Sequence, residues 1–337
     1  MDSPPNGRPP AYRAVISGYG SFAPEKTLTN DELGKMVDTS DEWIATRTGI
    51  RSRHITSDNE STALLATEAA RKALAQANLE AEELDIIIVA TITPEMVFPS
   101  TACFVQRALG ADKAWVFDLA AACSGFVYSL SVVQQFIESG RYKNALVIGA
   151  ETLSKIVDWT DRTSCILFGD GAGAVVLERS DDGRKGIMYS TMHSDGERWE
   201  ALNCQAYGSL HPANRELEDP KNIFMQIKGR EVYQQAIRRI IETVNECLEA
   251  CDLTLDDVGM LISHQMNARI IESVAKRLEL PAEKVFINIS QYGNTSAASV
   301  PIAFEECVRT GKIKRGDIII LVVFGAGLTW GANVVEF

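Results

Sequence analysis

The sequence predicts an α/β protein built from two similar βαβ halves packed against one another. Two observations carry this reading. Short apolar runs that read as buried strands alternate with segments of helical periodicity, and the same succession is run twice along the chain. Each half also ends in a glycine-rich turn that leads into a strand. A third feature marks the first half: Cys123 stands where a strand turns into a helix.

Met1 to Pro10 is polar and proline-rich. It has neither the apolar core of a secretory signal nor the arginine-rich pattern of a transit peptide, so residues 1–12 are expected to be a disordered tail. Ala14 to Ser17 reads as the first strand. Ser40 to Gly49 is a short capped helix, with Ser40 as N-cap, acids in the first turn and Gly49 as stop. Ser61 to Ala77 is an amphipathic helix, Asp85 to Ala90 a buried strand and Thr101 to Leu109 a helix. Trp115 to Leu119 reads as a short buried strand, and the apolar positions recur at helical spacing from Phe126 towards Gly140. Asn144 to Gly149 is another buried strand, and Phe168 to Leu177 a glycine turn into a strand.

From Asp181 to Asn222 the chain is rich in Gly, Asp, Asn, His and Pro with weak periodicity, as expected of a structureless lid or an interface insertion. Gly229 to Cys251 is a long helix, after which the pattern repeats. Val258–Ser263 mirrors Asp85–Ala90, Ala268–Leu278 mirrors Thr101–Leu109, and Val285–Asn288 mirrors Trp115–Asp118. Asn294–Pro301 leads into a helix as Cys123 does, and Ile318–Val323 mirrors Asn144–Gly149. The expected division is a first half at 13–180, an insertion at 181–225 and a second half at 226–337.

Composition narrows the function. A net charge of −12 argues against non-specific nucleic-acid binding. The run Ile318 to Val335 is broken by Gly325, Gly327, Thr329, Gly331 and Asn333, so two strands joined by a turn are expected there in place of a membrane span. Seven cysteines, odd in number and scattered, argue for a reducing, cytoplasmic compartment rather than a disulfide framework. Cys247 and Cys251 lie one helical turn apart without neighbouring ligands, and no metal site is expected.

The small residues around Cys123 leave room for a substrate. The start of the following helix offers free N–H groups and the positive end of its dipole, which favour a thiolate. The stretch reads as a nucleophile elbow with sulfur in place of oxygen; a buried structural cysteine is the alternative. The repeat then predicts partners at the strand ends of the second half. His264 directly follows one strand, Asn294 sits at the elbow that mirrors Cys123, and Gly325-Ala-Gly327 follows another strand. Singly these are an ordinary polar residue, a helix cap and a turn; together they suggest one site.

The motifs Thr39–Ile50, Ala121-Ala-Cys-Ser-Gly125, Asp161-Arg162, Phe168–Gly173, His264-Gln-Met-Asn267, Tyr292–Ser299 and Leu328-Thr-Trp-Gly331 resemble those of β-ketoacyl-acyl-carrier-protein synthase III, the initiating condensing enzyme of bacterial and plastid fatty-acid synthesis. The resemblance runs from about Ala14 to Phe337. It implies the five-layered αβαβα thiolase fold and a homodimer. It further implies that Cys123 accepts the acyl group of an acyl-CoA primer, used as a substrate with no separate cofactor, and that malonyl-acyl-carrier-protein follows. His264 and Asn294 would stabilise the enolate left by decarboxylation, and the N–H groups of Cys123 and Gly325 would form the oxyanion hole. A positioned donor of this kind is worth roughly 2.7–4 kcal/mol.

The same resemblance implies that Trp43, Arg47, Arg162 and Asn267 bind CoA, and that Phe98 reaches across the dimer to limit acyl length. Arg269, Lys276 and Arg277 share one face of helix 268–278, a basic patch in an acidic chain that suits an acidic carrier protein; a solvated helix face is the plain alternative. Gln234 and Met266 depart from the family's usual residues, but neither is in the catalytic set.

Other classes match less well. A degradative thiolase needs a second cysteine in the C-terminal glycine motif, and an elongating condensing enzyme needs a second histidine where Asn294 stands. Type III polyketide synthases share a Cys-His-Asn set but not the surrounding motifs. A papain-like hydrolase would lack the repeat, and a non-catalytic carrier-binding paralogue would not need the intact Cys-His-Asn set. Secondary-metabolite condensing enzymes, which take longer or aromatic acyl-CoAs, keep the same triad and remain the alternative.

Overall fold

A computed structural model describes residues 12–337; the tail expected at 1–12 lies almost wholly outside the described residues. The principal elements are β1 (Arg13–Phe22), α1 (Asp41–Thr48), α2 (Thr62–Ala77), β2 (Ile86–Ala90), α3 (Thr101–Leu109), β3 (Trp115–Leu119), α4 (Gly125–Glu138), β4 (Asn144–Thr152), β5 (Asp170–Ser180), β6 (Gly186–Ser194), α5 (Gly229–Cys251), β7 (Met260–Ser263), α6 (Ala268–Leu278), α7 (Ser299–Arg309), β8 (Ile318–Gly325) and β9 (Thr329–Glu336).

The strands form two sheets of the same plan. The first has the order β1-β5-β4-β2-β3, and the second β7-β8-β9-β6. In the first, β4-β2-β3 are parallel and β5 and β1 antiparallel; in the second, β7 and β8 are parallel and β9 and β6 antiparallel. Strands β2 and β4 are apolar along almost their whole length because helices cover both of their faces. Helices α4 and α7 lie between the sheets: Phe126, Leu130, Val300 and Phe304 share one buried cluster with Ile88, Val147, Ile262 and Leu321. Helices α2 and α3 cover the outside of the first sheet and α5 and α6 that of the second. The result is five layers, αβαβα.

Most of the expected elements are present. Ser40 caps α1 by accepting from Trp43 N, and Gly49 ends it in the left-handed region. The run after Ile318 is the antiparallel pair β8–β9.

Three expectations are corrected. The stretch 181–222 is not structureless throughout, because β6 is the edge strand of the second sheet and the counterpart of β1. Its pattern is hidden by a bulge: Val334 pairs with Tyr189 and Val335 with Ile187, so Met188 breaks the alternation. Next, Val285–Asn288 is not a full strand. It keeps one parallel bridge to Leu261, because the Gln265 amide donates to Phe286 O (3.1 Å) and accepts from Asn288 N (3.0 Å), taking bonds a ladder would use. Finally, β3 is an edge strand and only partly buried, with Trp115 37% exposed.

Candidate active site

Cys123 lies in a single 3₁₀ turn, Ala122–Ser124, between β3 and α4. The matching turn of the second half, Ser296–Ala298, lies between the Val285 bridge and α7. Strand β8 ends beside both. A Cβ built on Gly325 would stand 3.0 Å from both the Cβ and the N of Cys123, so a side chain there would have to push the Cys123 turn aside. The turn is tied to the second sheet by Ser124, whose Oγ donates to Thr329 O (3.1 Å).

Cys123 is 6% exposed and lines a cavity of about 270 Å³ with Ile92, Phe168, Met225, Ser296 and Ala326. Leu202, Asn203, Cys204 and Ala206 of the 181–225 segment close one side of it. Cys204 was not singled out from the sequence, where nothing set it apart from the other scattered cysteines. The expected thiolate is corrected: burial outweighs the helix start and pushes the Cys123 thiol up to about 12.

Asn294 and His264 are fixed to the second turn and the helix behind it. Asn294 Oδ1 accepts from Ser296 N (2.9 Å), and its Nδ2 closes no hydrogen bond among the described residues; its backbone is bonded to Leu167 O and Gly169 N. His264 is 1% exposed, and its backbone N donates to Val322 O on β8 (2.8 Å). Its Nδ1 lies 2.5 Å from Ser299 Oγ, which also accepts from Gln265 N (3.4 Å). A hydroxyl that accepts from Gln265 and donates to Nδ1 leaves the proton on Nε2. Burial lowers the imidazole to about 3, so the ring is neutral. Ser299 and the buried Glu151 at the end of β4 are further members of this region that the sequence reading missed. Glu151 lies beyond the strand end expected at Gly149.

The remaining candidates fall into three places. The guanidiniums of Arg47, on α1, and Arg162, in the loop between β4 and β5, lie 4.3 and 5.1 Å from the Trp43 ring centroid. Asn267 caps α6 through Arg269 N (2.9 Å) and donates to Arg47 O (3.1 Å), which joins α6 to α1. Ile44 of α1 packs in the same apolar cluster as the cavity residues Leu153, Phe168 and Met225. Phe98 is 81% exposed and does not line the cavity. Arg269, Lys276 and Arg277 are exposed on α6, and none forms a salt bridge among the described residues. No cluster of His, Cys, Asp and Glu able to hold a metal occurs among the described residues, and none of their helices is long and apolar enough to cross a membrane.

A doubled αβαβα fold with a cysteine elbow at the start of a central helix belongs to a class: the condensing acyltransferases of the thiolase fold. Family models narrow it. Residues 117–196 match 3-oxoacyl-[acyl-carrier-protein] synthase III and residues 248–337 its C-terminal part. The chain is 54% identical to the β-ketoacyl-[acyl-carrier-protein] synthase III of Caldanaerobacter subterraneus subsp. tengcongensis, over 96% of this chain and 98% of that one. It superimposes on the crystal structure of the Aquifex aeolicus VF5 synthase III with a TM-score of 0.90 at 48% identity, covering 96% and 100% of the two chains. The priming β-ketosynthase of the R1128 polyketide pathway gives the same TM-score at 34% identity, covering 98% of each. The chain belongs to the β-ketoacyl-acyl-carrier-protein synthase III family.

Proposed function

We propose that the chain condenses a short acyl-CoA primer with malonyl-acyl-carrier-protein, releasing CO₂ and giving a 3-oxoacyl-acyl-carrier-protein that starts a fatty-acid chain. The observation that carries this is the close approach of Gly325 to Cys123, which lines a small, mainly apolar cavity together with Ser296, two residues after Asn294. Cys123 takes the acyl group. The N–H groups of Cys123 and Gly325 hold the oxyanion of the tetrahedral intermediate. Asn294 Nδ2 and His264 Nε2 donate to the malonyl thioester oxygen as CO₂ leaves; a neutral ring suits a donor that is not required to be an acid. Each step uses groups of the chain itself, and acyl-CoA enters as substrate.

Trp43, Arg47 and Arg162 form a stacked cationic platform suited to the adenine and phosphates of CoA. Asn267, between α1 and α6, lies where a pantetheine arm would pass from that platform. The Arg269, Lys276 and Arg277 face suits an acidic carrier protein. A homodimer is supported by the open edge of β3 and by the exposed Met96, Val97 and Phe98, from which Phe98 would reach a partner's acyl cavity. The seven free cysteines suit the cytoplasm. A cavity of about 270 Å³ favours a short primer over the longer or aromatic one of a secondary-metabolite enzyme.

The test is reconstitution with an acyl-CoA and malonyl-acyl-carrier-protein, following CO₂ release and the mass of the carrier-bound product. A 3-oxoacyl product from short acyl-CoAs is expected. Product only from long or aromatic acyl-CoAs would assign the secondary-metabolite role instead.

A further inference from the structure

The reading of Cys123 as nucleophile leaves a question of protons, since the resting thiol is protonated and the neutral His264 ring already uses Nδ1 on Ser299. A carboxylate whose charge acts on that thiol is Glu151, which is fully buried at the end of β4. Its Oε2 accepts from Thr93 Oγ1 (2.7 Å), Thr91 Oγ1 (3.2 Å), Thr93 N (3.2 Å) and Ile92 N (3.2 Å). Its Oε1 has only the shared Ile92 N at 3.3 Å.

Between carboxylate and thiol stands Ser296. Strand β4 runs directly beneath the Ser296–Ala298 turn: a Cβ on Gly149 would stand 2.2 Å from Ala297 O, so only glycine permits that approach. The Ser296 hydroxyl is buried, closes no hydrogen bond and lines the cavity with Cys123, on the turn that rests against β4 two residues before Glu151. Two threonine hydroxyls and two backbone N–H groups bond the Glu151 carboxyl, and Cys123 is a titratable group that its charge acts on.

We propose that Glu151, acting through the Ser296 hydroxyl, takes up the Cys123 proton during acyl transfer. The S–H proton passes to Ser296 Oγ as the Ser296 hydroxyl proton passes to the carboxylate. The thiolate forms a carbon–sulfur bond to the thioester carbonyl, and the bond to CoA breaks with its electron pair on the departing sulfur. The reverse shift returns a proton from Glu151 to that sulfur. Glu151 is thus a positioning residue that holds a proton one hydroxyl away from the chemistry. The step rests on the proposed function.

The test is the pre-steady-state rate of acylation by acetyl-CoA, read by intact mass between about pH 5 and 9. Glu151 is raised by burial to about 7, so the parent rate should rise with pH and level above that point. Glu151→Gln and Ser296→Ala should each lose that inflection and acylate on the order of 10²-fold more slowly. The double variant should be no slower than either single one. A Glu151→Gln enzyme with the parent's rate and profile overturns the relay. A faster one also overturns it, because Glu151 would then act only as a charge that disfavours the thiolate. If Glu151→Gln does not fold, Ser296→Ala decides alone; its backbone tolerates alanine, since Ala122 holds the same conformation. A parent that takes no acyl group overturns both the relay and the nucleophile assignment, whereas an acylated parent with unaffected variants removes the relay alone.

Discussion

Ala122 and Ser296 hold the same left-handed conformation, with φ of +46° and +48°, at the same step of the two halves. Each opens a three-residue 3₁₀ turn that runs into a helix between the sheets. This fixes the register of the repeat. Cys123 corresponds to Ala297, and Asn294 stands two residues before the equivalent of Ala122. The expectation that Asn294 mirrors Cys123 is therefore corrected by three positions. The offset separates the roles: one turn presents a thiol, and the approach to the other presents an amide.

Removing either donor should separate the two halves of the reaction. His264→Ala and Asn294→Ala should be acylated by acyl-CoA at close to the parent rate and lose about 10²–10³-fold in decarboxylative condensation. Condensation at the parent rate by the Asn294 variant, measured as CO₂ release, would remove that residue from the mechanism.

Gly325→Ala places a methyl 3.0 Å from the Cβ and N of Cys123. Overpacking of this kind costs about 1–3 kcal/mol, and here it must push the thiol or the β8 end aside. A lowered melting temperature and severe loss of acylation are expected. Unchanged acylation would show that the reaction does not need the close approach of Gly325 to Cys123.

Burial sets the sign of one pH dependence. Glu151 titrates near 7 when folded against an ordinary 4.5, so the folded chain holds its proton more tightly than the unfolded chain. Its contribution to stability is complete below pH 4.5 and is lost as pH rises through about 7. Relative to the parent, Glu151→Gln should therefore gain melting temperature steadily as pH rises from 4.5 to above 7. A difference independent of pH over that window would mean the carboxylate is not buried in its charged form.

The α6 face tests carrier docking. Arg269→Ala, Lys276→Ala and Arg277→Ala together should raise KM for malonyl-acyl-carrier-protein several-fold, the more so at low salt, and leave acylation from CoA unchanged. An unchanged KM would make the face an ordinary solvated one.

The sequence patterns reached far because helix α1, with its Ser40 cap and Gly49 stop, and the apolar runs of β2 and β4 are coded by neighbouring residues. Strand β6 escaped because its bulge at Met188 breaks the alternation from which a strand is read. The register at Asn294 escaped because a left-handed alanine and a left-handed serine share no residue type that would align them. Glu151 and Ser299 became visible only in three dimensions, where strand, turn and helix bring them to Ser296 and His264. The buried thiol of Cys123 could not be read from its neighbours either, because its proton affinity depends on the walls that close around it.

The central claim is that Cys123 carries the acyl group. Intact-protein mass spectrometry after incubation with acetyl-CoA and a panel of branched, long and aromatic acyl-CoAs, with the parent beside Cys123→Ala, tests it most directly. The account predicts one short acyl adduct per chain on the parent and none on the variant. An equal adduct on Cys123→Ala, or no adduct on the parent from any thioester, would contradict it.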